Sequence, residues 1–86
     1  MEEQNTEKQL KIAEKWQRDQ EQNPVLLLTL GRLANRLKQW SRAEDYLISS
    51  LSLSEKRETF AELAYMYMMQ GEDVKAEEMF KKISTL

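Results

Sequence analysis

The chain has 86 residues, a net charge of −2, and neither cysteine nor histidine. That composition excludes a disulfide framework, a thiolate metal site and an imidazole base. One proline and two glycines leave too little punctuation for a turn-rich β fold, and the abundance of Leu, Glu, Lys, Gln, Ala and Met favours an all-α chain.

The first predicted helix begins near Thr6. "TEKQ" has the form of a capping box, Thr6 accepting from a first-turn N–H while Gln9 reaches back. Leu10, Ala13 and Trp16, with Ile12 beside them, form a narrow apolar stripe, and "RDQEQ" then gives out into polar chain. Asn23-Pro24 starts the second helix: Asn caps, and proline at the first helical position gives up an N–H that has no intrahelical acceptor. That helix is expected to run to about Leu37. Leu27, Leu30, Gly31 and Ala34 fall at i, i+3, i+4 and i+7 on one face, and the remaining leucines give a second apolar flank. A helix apolar on two sides is sandwiched between neighbours. Gly31 costs about 1 kcal/mol of helix propensity relative to alanine, tolerable where another helix must approach the backbone.

Lys38-Gln39-Trp40 reads as a short turn and "SRAE" as a second capping box, Ser41 with Glu44. Ala43, Leu47 and Leu51 carry the inner face of the third helix to about Leu53. Ser54 reads as the cap of a fourth, which places Phe60, Leu63, Ala64 and Tyr67 inward and ends at Gly71. The last helix, from about Asp73, turns Ala76, Phe80 and Ile83 inward.

The two halves align at an offset of 33 residues. Leu27 meets Phe60, Leu30 meets Leu63, Gly31 meets Ala64, Ala43 meets Ala76 and Leu47 meets Phe80. Ala34 meets Tyr67 and Leu53 meets Leu86 at the same offset, so small meets small and large meets large at every pair but Ala34–Tyr67. A period of this length in helix–turn–helix units is a tetratricopeptide (TPR) signature, and "LLTLGRLANRLKQWSRAEDYLISSL" and "FAELAYMYMMQGEDVKAEEMFKKI" both resemble the TPR pattern. Lys38 stands where the turn glycine is usual, and no proline closes either unit. The resemblance implies a TPR-like α-solenoid fragment of about five helices: a leading helix in 1–22, one repeat in 23–54 and a second in 55–86. A narrower resemblance, carried by Trp16 before a polar stretch, Asn23-Pro24, "LLLTLGRL" and the run from Trp40 to Leu51, is to the C-terminal TPR region of HemY-type bacterial inner-membrane proteins associated with haem biosynthesis. It implies that the leading helix ends a preceding repeat. It also implies membrane anchors upstream and a place on the cytoplasmic side of the inner membrane. The segment itself is expected to be soluble, because Arg32 interrupts the apolar run from Val25 before it could span a bilayer.

By the same resemblance, first helices line a concave groove built from Leu28, Arg32, Asn35 and Arg36, then Glu58, Glu62, Tyr65, Met68 and Met69. One wall is basic and amide-bearing, the other acidic at its start and soft at its end. Such a groove suits a peptide or helical segment of a protein partner. Trp16 and Trp40 are read as packing residues, one anchoring the leading helix and the other plugging a turn. Met66, Met68 and Met69 could alternatively fill gaps between helices.

Competing classes have less behind them. Nucleic-acid binding needs a denser basic stripe than Arg32, Arg36, Lys38 and Arg42 provide. The carboxylate clamp of chaperone-binding TPR domains lacks its first lysine, since Leu28 stands there. Catalysis lacks a base for Ser41, Ser49, Ser50, Ser52 or Ser54, and no phosphate loop or metal-ligand spacing is present. No cofactor is expected, and haem ligation lacks histidine and cysteine. The expectation is therefore a non-catalytic interaction scaffold. The alternatives are self-association through the last helix, or an adaptor or chaperone binding a client.

Overall fold

The computed structural model describes the backbone of residues 2–19 and 23–86 and the side chains of 5–16 and 23–86. Five α-helices follow one another: α1 Glu2–Asp19, α2 Pro24–Arg36, α3 Trp40–Leu53, α4 Arg57–Met69 and α5 Asp73–Thr85. No strand occurs among the described residues. The polar residues 20–22, where the first helix was expected to give out, lie outside the described residues.

Local chemistry sets the start of α2. Asn23 caps α2 as its side chain predicts, its Oδ1 accepting from the N–H groups of Val25 at 3.0 Å and Leu26 at 3.2 Å. Three other expected caps are not used. Thr6 lies inside α1 rather than at its start and is buried. Ser41 lies inside α3, which begins at Trp40 behind Gln39. Ser54 closes α3 instead of opening α4, its N–H donating to the Ser50 carbonyl at 3.0 Å, and α4 begins after Lys56.

The chain reversals after α2 and α4 are the same device, 33 positions apart. Lys38 and Gly71 both take the left-handed conformation, with φ 59° and 75°. Gln39 N–H donates to the Ala34 carbonyl at 2.9 Å and Glu72 N–H to the Tyr67 carbonyl at 2.8 Å. Lys38 N–H meets the Asn35 carbonyl, and Gly71 N–H the Met68 carbonyl, each at 3.0 Å. These are Schellman closures, which satisfy helix-terminal carbonyls and require one residue at positive φ.

Packing gives a helical, repeat-like all-α fold. α2 packs on α3 and α4 on α5 as two hairpins; α1 packs on α2, α3 on α4, and α2 also meets α4. So α2 is central, and it buries Leu26, Leu27, Leu28, Leu30, Leu33 and Ala34 around most of its circumference. Each fully buried leucine contributes about 1.5–3 kcal/mol over an exposed one. Leu10 and Ala13 of α1 join Leu26, Leu27, Leu30 and Leu33 in one cluster; Leu28, Ala34, Ala43, Leu47, Leu63, Met66, Tyr67 and Ala76 form a second.

Small residues set the closest approach. A Cβ added to Gly31 would lie 2.4 Å from Leu47 Cδ2 and 2.5 Å from its Cγ, so α3 can seat Leu47 only because α2 has no side chain there. Ala34, Ala43 and Ala64 have no exposed surface and Ala76 almost none. Phe60, Leu63 and Tyr67 are buried on α4. Phe80, expected to pack inward like its counterpart Leu47, is instead 48% exposed. The reason is positional: Leu47 sits in the cluster shared with α2, α4 and α5, whereas α5 contacts only α4 among the described helices.

Candidate partner-binding groove

α2 and α4 run side by side, and the surface between them is a cleft of about 560 Å³ lined by Arg32, Asn35, Arg36, Glu62 and Tyr65. The helical period explains the set. Arg32 and Arg36 are four apart on α2, and Glu62 and Tyr65 three apart on α4, so each pair shares a face.

The two walls bond to each other. Asn35 Nδ2 donates to the Glu62 backbone carbonyl at 3.2 Å and to the Glu62 carboxylate at 3.0 Å. Arg32 Nε lies 3.4 Å from the other carboxylate oxygen. Glu62 is thus a strut between the helices, and the acid of one wall neutralises one cation of the other. Arg36 is exposed and has no acidic partner among the described residues. One unneutralised guanidinium therefore remains, beside an aromatic wall.

Tyr65 is 45% exposed and held in place: Trp40 meets it edge-on, ring centroids 6.5 Å apart at 64°. Trp40 is half-buried at the start of α3, packed against the second cluster. Met68 and Met69 continue the exposed face at 54% and 52%, while Met66 is fully buried and does fill the core. The surface thus offers a cation, an aromatic ring with a polar tip and two adaptable thioethers.

One expected groove residue is corrected: Leu28 is buried and does not line the cleft, while Asn35 lines it from a buried position. α4 crosses the side of α2 on which they sit, so Leu28 joins the core and Asn35 spends its amide on Glu62. Asn35 Oδ1 and Thr59 Oγ1 are both buried without a hydrogen-bond partner. Glu58, Met68 and Met69, also expected in the groove, are exposed on α4 but do not line the cleft.

The larger surprise lies on α1. Trp16, expected to anchor the helix by packing, is 59% exposed, as are Ile12 at 54% and Val25 at 55%. Together with Ala13, Leu26 and Leu33 they border a second, apolar groove of about 500 Å³ between α1 and α2.

The buried polar side chains tie helices together. Tyr67 OH donates to Glu44 at 2.8 Å, joining α4 to α3. Burial, then the Glu44 hydrogen bond and charge, push the Tyr67 phenol up to about 12. Tyr46 OH donates to Glu14 at 2.9 Å, and Arg42 pairs with the same carboxylate, joining α3 to α1. Burial first, and then Glu14, raise the Tyr46 phenol above its ordinary value.

Among the described residues no group of three or more acids could hold a metal ion, and no helix is long and apolar enough to cross a membrane. Compared with known proteins, the chain matches no family model, no curated protein and no solved structure.

Proposed function

We propose that the chain is a non-catalytic interaction scaffold that binds a peptide or helical segment of a protein partner along the α2/α4 cleft. The observation that carries this reading is the unneutralised Arg36 beside an exposed, Trp40-braced Tyr65, with Met68 and Met69 following on the same helix. A guanidinium recognises a carboxylate or backbone carbonyl, and the tyrosine and methionines supply area for an apolar neighbour. The preferred ligand is a segment with an acidic residue one turn from an aliphatic or aromatic one.

The TPR-type solenoid reading is supported by the 33-residue offset, repeated in the side-chain volumes and in the two Schellman closures. What supports the narrower HemY-type reading, with its membrane-anchored parent protein and its haem association, is the motif run within residues 13–70. An adaptor or chaperone that binds a client would use the same cleft.

Selection of displayed peptides against the intact chain tests the proposal. Enriched sequences should pair an acid with a large apolar residue. Arg36→Glu and Tyr65→Ala should each weaken the selected peptide at least about tenfold, or 1.4 kcal/mol, without moving the melting transition. Undiminished binding by both variants would reject the cleft as the site.

Self-association is a second reading, favoured by the exposure of Val74 at 73% and Phe80 at 48% on α5. Sedimentation at several concentrations separates the two readings: a monomer throughout removes self-association.

A further inference from the structure

The apolar groove between α1 and α2 has a template inside the molecule that shows what shape belongs in it. α2 lies against both α3 and α4. Leu47 of α3 packs over Gly31, the Ser50 hydroxyl of α3 donates to the Pro24 carbonyl at 2.7 Å, Glu62 of α4 receives Asn35, and Met66 of α4 shares the core with Leu28 and Ala34. Those four residues of α3 and α4 mark the seat of α2.

The seat can be transposed one hairpin back. Three positions separate α3 from α4 and four separate α1 from α2, so α4 maps onto α2 by 33 residues and α3 onto α1 by 34. Glu62 then becomes Thr29, Met66 becomes Leu33, Leu47 becomes Ala13 and Ser50 becomes Trp16. All four line the α1/α2 groove. The groove stands to α1 and α2 as the seat of α2 stands to α3 and α4: it is shaped for one more helix.

Its chemistry differs from the template. Trp16 replaces the small, buried Ser50, and Thr29 replaces Glu62, so the hydrogen bonds of the template are not reproduced. Ala13 stands where α3 has Leu47, so the floor is deeper, and the occupant can carry a large side chain where α2 has Gly31. Among the described residues no charged side chain lines the groove, and exposed Lys8 and Lys15 lie one turn either side of Ile12 on its border. We infer that this groove docks an amphipathic helix from a protein partner, with large apolar residues on its inner face and acidic residues on its flanks. This surface is distinct from the α2/α4 cleft, sharing none of the residues that line it.

The test is an NMR titration of the intact chain with two synthetic five-turn helical peptides. Both carry leucines at i, i+3, i+4 and i+7; one has glutamate flanks and the other lysine flanks. The glutamate peptide should shift the Trp16 indole N–H and the Ile12, Val25 and Leu33 methyls while leaving Met68 and Met69 in place, and should bind at least about tenfold more tightly than the lysine peptide. Trp16→Ala and Val25→Lys change exposed side chains, so circular dichroism should show an unchanged fold while binding falls. Absence of shifts up to about 1 mM peptide would overturn the inference. So would shifts centred on Tyr65 and Met68, equal binding of both peptides, or undiminished binding by the two variants. Concentration-dependent self-association abolished by Trp16→Glu would overturn it in favour of a second copy of this chain.

Discussion

Lys38 occupies a position built for glycine. Its φ of 59° is the conformation that its counterpart Gly71 adopts without a side-chain penalty. A β-carbon in the left-handed region costs roughly 1–2 kcal/mol, of which glycine's greater unfolded-state freedom returns part. Lys38→Gly should therefore stabilise the chain by about 0.5–1 kcal/mol, read as a higher denaturation midpoint at unchanged slope. A lower midpoint would mean that the lysine side chain does something there beyond tolerating strain. Tyr67 supplies a second residue-scale test. Its phenol titrates near 10 when unfolded and about 12 when folded, so the neutral form is favoured by folding. That stabilisation is complete below pH 10 and disappears as pH rises through the folded value. Tyr67→Phe should lose less stability than the parent between pH 10 and pH 12, with Tyr46, also raised, accounting for part of the loss common to both. Equal losses would contradict the placement of the Tyr67 phenol, buried and bonded to Glu44.

At the scale of elements, Ala43 is a point where α3 meets its neighbours with no space to spare. An aspartate there would be buried without a partner, which costs more than a small domain's margin of stability. Ala43→Asp should abolish the cooperative thermal transition seen by circular dichroism; a retained transition would place Ala43 at the surface. Helix type, helix number and the inward faces of α2, α3 and α4 were readable from sequence, because Leu27, Leu30, Gly31 and Ala34 and their counterparts repeat with the period of one buried stripe. The caps were less so. Asn23 is identified by the proline after it, whereas Ser41, Ser54 and Thr6 had equally good local chemistry and do not start a helix. The Schellman closure after α2 directs Trp40 straight into α3, and the extended Ser54 ends a helix instead of beginning one. A capping motif states what a residue can do; the neighbouring turn decides whether it is asked to.

The whole molecule shows why site residues were harder to read than core residues. Arg36, Tyr65, Met68 and Met69 are exposed, but Leu28 and Asn35 share their helix face with a neighbour, and only the placement of α4 on α2 reveals it. Likewise Asn35 and Glu62 are 27 residues apart, a separation at which periodicity within one helix carries no information about pairing. Trp16 and Phe80 fail as packing residues for a related reason. Each sits on an outer helix of the stack, α1 or α5, where the inward pattern continues but no described helix covers it. An aromatic at core spacing on a terminal helix marks either a core or a docking surface, and its burial tells which.

The packing of the second hairpin on the first, through α2, organises both grooves. Nuclear Overhauser contacts in the intact chain in solution test it most directly. Strong contacts are predicted between the Gly31 α-protons and the Leu47 methyls, and between the Asn35 side-chain amide and the backbone of α4 near Glu62, with Trp16 giving few contacts to other helices. Loss of the Gly31–Leu47 and Asn35–α4 contacts, together with a Trp16 ring buried against α2, would contradict the account.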